Sequence, residues 1–143
     1  KGCDGIYCGA SMELRNGTII SGNNSSLLHA ASSLVLNAIK FLAGIPKTID
    51  LLPSSTLESL NHFKKNILNG KKISLDLEET LIALSISATI NPSAQIAIEK
   101  LKELKDCEVH LTHMPTPGDA GGFRKLGVNL TSDPNYPTKD MFY

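Results

Sequence analysis

Between Ser25 and Gly44 the chain reads SSLLHAASSLVLNAIKFLAG, with apolar residues on nearly every helical face and a single charge, Lys40. A helix of that composition has no face to show to water and must be enclosed by other elements. This segment constrains the architecture most, because the rest of the chain has to supply layers around it. Asn24 or Ser25 is placed to cap its start, and Gly44 followed by Pro46 to stop it.

The neighbouring segments supply candidates for those layers. IYCGASMEL alternates, with Ile6, Cys8, Ala10, Met12 and Leu14 on one side, and Asn16-Gly17 offers the positive φ angles of a two-residue turn before TIIS. That pattern predicts a β-hairpin. From Pro53-Ser54 a surface helix runs with Leu57, Leu60, Phe63 and Ile67 at helical spacing and Glu58, Lys64 and Lys65 towards water, closed by Asn69-Gly70. Asp76 with Glu79 makes a capping box for LEETLIALSISATI, and Asn91-Pro92 ends that helix while opening PSAQIAIEKLKELK. CEVHLTH and VNLTS read as strands flanking a short helix. Hairpin, helices, strand, helix and strand in that order predict an α/β fold.

The length, 143 residues, suits one domain over residues 1–143 with one core. Lys plus Arg equal Asp plus Glu at 14 each, so no net field draws the chain to nucleic acid or to an anionic membrane. Three cysteines, Cys3, Cys8 and Cys107, are an odd number without Cys-x-x-Cys spacing, which argues for a reducing, cytoplasmic setting. The N-terminus lacks the shape of a signal peptide, and no apolar run approaches the ~20 residues of a membrane helix. The chain opens on Lys1, so a fragment of a longer protein is expected.

HLTHMPTPGDAGGFRKLG, residues 110–127, is the densest concentration of chemistry. His110 and His113, three apart on a strand, point to opposite sides and make a poor metal pair; no closed ligand set accompanies them, so no metal is expected. The loop leads from a strand end into a helix start near Ala120, whose amides attract anions. Thr116, Gly118, Asp119, Gly121, Gly122, Arg124 and Lys125, with His110 and His113, are therefore the candidate ligand-binding residues. The competing reading makes the loop a connector, with Asp119 as helix cap and Pro115, Pro117 and the glycines serving its turns.

Other groupings are weaker. Asp76, Glu78 and Glu79 at a helix start suit capping better than acid–base work. Ser25, Ser26 and His29 lack an orienting acid and a Gly-x-Ser-x-Gly elbow. Lys100, Lys102 and Lys105 suit a solvated helix end.

GTIISGNNSSLLHAASSLVLNAIK and FRKLGVNLTSDP, at matching places along the chain, resemble the C-terminal part of a bacterial family catalogued as a domain of unknown function. The resemblance spans essentially the whole chain. It implies a three-layer α/β/α sandwich with cytidine-deaminase-like topology, and a longer protein carrying a Gly-Pro-Gly-Ser-Gly-Lys phosphate loop upstream. Neither chemistry is written here: Gly118–Gly122 is followed by Phe123-Arg124 instead of Gly-Lys-Ser, and the deaminase elements His-x-Glu and Pro-Cys-x-x-Cys are missing.

Two functions are therefore expected to compete. One is a non-catalytic C-terminal module acting in packing or assembly, with the remainder of the parent chain or a homo-oligomer as partner and no cofactor. The other is a small-anion or metabolite-binding domain, enzymatic or not, using the loop 114–125.

Overall fold

A computed structural model of the chain describes residues 2–3, 6–68 and 74–135. β1 (Gly2–Cys3) and β2 (Ile6–Tyr7) pair antiparallel as a short ladder of their own. The main sheet has four strands in the order β4 (Ile19–Asn23), β3 (Gly9–Glu13), β5 (Glu108–Leu111), β6 (Asn129–Ser132). β3 is antiparallel to both β4 and β5, whereas β5 and β6 run parallel. The expected α/β class is found, as a mixed sheet with helices.

β3, β4 and β5 alternate in burial. Ala10, Met12, Gly22, Val109 and Leu111 lie on one face and are buried, while Glu13, Ser21, Glu108, His110, Asn129 and Thr131 lie on the other and are exposed. Antiparallel sheets with one face in water read this way. Among the described residues the helices thus cover one face, and two layers stand where the resemblance implied three. On the exposed face the polar alternates hydrogen-bond among themselves, His110 to Thr131 and Asn129 to Glu108.

α1 (Ala30–Ala43) is the enclosed helix, with Ala31, Leu34, Val35, Ala38 and Ile39 fully buried. It sits so close to β4 that a Cβ on Gly22 would strike the backbone of Leu34 and Ala30. α1 starts later than its apolar run suggests. Ser25 Oγ accepts from the amides of Leu27 and Leu28, Leu28 forms a parallel bridge to Leu75, and the N-cap is His29, so neither Asn24 nor Ser25 caps the helix. Gly44 ends it in the left-handed conformation, as expected.

α2 (Ser54–Asn66) lies on the surface, burying Leu57 and Asn61. The expected stop at Asn69-Gly70 falls outside the described residues. α3 (Leu77–Ser87) has the full capping box: Asp76 Oδ1 accepts from Glu79 N at 2.9 Å, and Glu79 Oε1 accepts from Asp76 N at 2.9 Å. Asn91 caps α4 (Pro92–Ile98), which tightens into a 3-10 segment, Glu99–Leu104, where Lys100 pairs with Glu103 and Lys102 with Glu99.

The hairpin turn differs from expectation in one detail. Leu14 N bonds to Thr18 O and Gly17 N to Leu14 O, and Gly17 alone carries a positive φ, of 88°. The loop is three residues, Arg15–Gly17, with glycine at the left-handed position.

Candidate functional site

α5 (Pro117–Leu126) begins three residues before the expected Ala120, and its N-cap is Thr116, whose hydroxyl accepts from Asp119 N at 3.2 Å. Asp119 is therefore not the cap. Its side chain is freed to turn inward, where it is fully buried: Oδ2 accepts from His29 Nδ1 at 2.9 Å and Oδ1 from Leu77 N at 2.8 Å. His29 is the N-cap of α1 and Leu77 the first residue of α3. One carboxylate on the first turn of α5 thus ties the starts of three helices together, through the amide of Leu77 at the start of α3 and the imidazole of His29 at the start of α1.

His113, just past the end of β5, is buried beside this group, and its Nδ1 has no hydrogen-bond partner. Burial pushes its pKa below the ordinary 6.5, with His29 acting in the same direction and the Asp119 carboxylate opposing. Asp76 lies against Gly118, where a Cβ would run into its carboxylate. Burial raises the Asp76 carboxyl above its ordinary 3.8, the Glu79 amide pulls the other way, and the charges of Glu79 and Asp119 push it up further.

The candidate residues do not all meet. Thr116, Gly118, Asp119 and His113 gather at the three helix starts. His110 is on the open face of the sheet, half-exposed, with Nδ1 2.8 Å from Thr131 Oγ1 and Nε2 3.1 Å from Asp133 Oδ1. Arg124 and Lys125 occupy the last turn of α5, away from its amides, and Lys125 pairs with Glu78 at 2.7 Å. Gly121 and Gly122 face α3, not an opening: a Cβ at 122 would lie 2.6 Å from Leu77 Cγ, and one at 121 would lie 2.8 Å from Glu78 Oε2. Their smallness lets the two helices approach.

His29 joins the cluster although the sequence set it beside Ser25 and Ser26, and Asp76, in its expected capping role, lies against it at Gly118. The available signal for His29 was a lone imidazole inside an apolar run, which must find a polar partner when buried. Among the described residues no group of three or more His, Cys, Asp or Glu side chains is arranged to hold a metal ion. A separate cleft of about 430 Å³ opens between the outer side of α1 and the start of α2, lined by Ser33, Asn37, Lys40, Asp50 and Ser54 among others. Of the residues weighed for chemistry from the sequence only Ser25 lines it, and none of the candidate ligand-binding residues does.

A family model described as "Domain of unknown function DUF1846, C-terminal" matches residues 4–142. A UPF0371 protein of Clostridium botulinum (strain Alaska E43) is 44% identical over 133 residues, 93% of this chain and 26% of that protein. One from Clostridioides difficile (strain 630) is 42% identical over 133 residues, again 93% and 26%, and one from Clostridium tetani 39% identical over 138 residues, 96% and 28%. The chain spans about a quarter of the length of these relatives.

Proposed function

This chain belongs to the family of DUF1846 C-terminal domains, and from that premise we propose that it is a non-catalytic module that packs within, or assembles, a larger bacterial protein of the cytoplasm. The observation carrying this reading is the Asp119 tie. The position at which an outside anion would meet three helix starts is filled by the chain's own carboxylate, with both oxygens engaged. The polar groups best equipped for chemistry are spent on joining elements. Nucleotide chemistry, which the upstream phosphate loop implied by the resemblance would provide, then belongs to the three quarters of the relatives' length that this chain does not span.

One observation favours a second reading, ligand binding at the loop 114–125: His113 Nδ1 is a buried polar atom without a partner. A metabolite screen by thermal shift, run on this chain and on a full-length family protein side by side, separates the two. Shifts confined to the full-length protein support the packing role. A shift in this chain that His113→Gln abolishes overturns it.

A further inference from the structure

Residues 80–98 contain no Asp, Glu, Lys or Arg, although they build most of α3, the turn after it and all of α4. The inward side of this stretch is accounted for by Ala83, Leu84, Ala94 and Ala97, which are buried in the core. Its outward side is apolar too. Ile82 and Ile86 are each 62% exposed, Ile90 86% and Ile96 56%, and their exposed neighbours are Ser85, Thr89 and Gln95. Single exposed isoleucines are ordinary on a protein surface. The stripe at i, i+4 and i+8 starts one turn after Glu78, which pairs with Lys125, and itself carries no charge, the composition of an interface core with a charged edge.

Resting on the packing reading above, we infer that the outer face of α3 and α4, centred on Ile82, Ile86 and Ile90, docks the preceding part of the family's longer polypeptide. The choice of occupant follows from two observations. The relatives carry about three times as much chain outside this domain as within it, so a covalently attached partner of ample size accompanies the domain in each of them. Within residues 80–98 the face also carries none of the charges that steer and select a separate protein from solution, and the nearest acids at its two ends, Glu78 and Glu99, are paired with this chain's own Lys125 and Lys102. A tethered segment needs neither steering nor selection, because its effective concentration is already in the millimolar range. A permanently covered face, unlike a transient one, has the apolar character of a core cut in two.

The test is side-chain footprinting with hydroxyl radicals on a full-length family protein ending in this domain and on the 143-residue chain alone. Ile82, Ile86 and Ile90 are expected to label at least tenfold more slowly in the long protein, and Ile86→Lys to erase most of that difference while leaving the melting of the short chain unchanged. Equal labelling in both overturns the inference. If the long protein nonetheless melts as one unit, only the choice of face has failed; if the domain melts independently of the rest, the packing reading falls with it. Protection that appears in the short chain alone as its concentration rises, with dimers in light scattering, also overturns the inference, by making a second copy the occupant.

Discussion

Asp119 concentrates the consequences that a single residue can have in this fold. Replacing it by alanine removes the bonds that the buried Leu77 amide and His29 Nδ1 make to the carboxylate, so Asp119→Ala should cost about 3–5 kcal/mol of unfolding free energy in urea titration. His113 sets a pH dependence. Its folded pKa lies below the ordinary 6.5, so on acidification the unfolded chain takes up a proton before the folded one does. Stability should therefore fall as pH drops below about 6.5, and His113→Gln should flatten that slope in melts recorded between pH 7 and 5. Asp76 works in the opposite sense at lower pH. Its folded pKa is raised above 3.8, so between those values the folded state holds the proton and acidification recovers part of the cost of burying the charge. What the sequence disclosed at this scale was the residue types of the cluster. Which acid meets which imidazole depended on the helix starting at Pro117, since that start moves Asp119 from cap to interior.

At the scale of elements, α5 and α3 meet through glycines, and the two sites differ in what the missing side chain would touch. Gly122→Ala pushes a methyl into Leu77, which is fully buried and cannot retreat, so a loss of about 1–3 kcal/mol is expected. Gly121→Ala meets only the end of the flexible Glu78 side chain, and the better helix propensity of alanine, about 1 kcal/mol, should make it close to neutral. Denaturation midpoints of the two variants measured together decide the point. The elements whose ends are chemically marked were legible: the Asp76–Glu79 box, Asn91-Pro92 and Gly44 fall where the chain said they would. Starts of α1 and α5 were not, because apolar periodicity continues through Leu27 and Leu28 while their backbone is claimed by a bridge to Leu75 more than forty positions away. Local pattern carries no record of such a partner.

For the whole molecule, the alternation of GASME and EVHL marked them as strands, and the structure adds that their polar alternates face water. The third layer came from the resemblance and not from those residues. Charge balance and the missing phosphate-loop lysine point the same way for ligands: calorimetric titration of the 143-residue chain with ATP should show no binding at micromolar concentrations. Chelator should likewise leave its melting temperature unchanged.

The position of β3 has a consequence in time. Ala10 and Met12 sit between β4, which follows at once, and β5, whose Leu111 and Val109 come about a hundred residues later. On the ribosome the hairpin forms early and then waits with one side of its inner strand unsatisfied until nearly all of the domain has been made. The loop that must close is long, and pairings of that span are slow. In a protein that ends with this domain, the sheet is completed only around release from the ribosome. Until then the edge of β3 is an open template, available to the same strand of a neighbouring nascent chain.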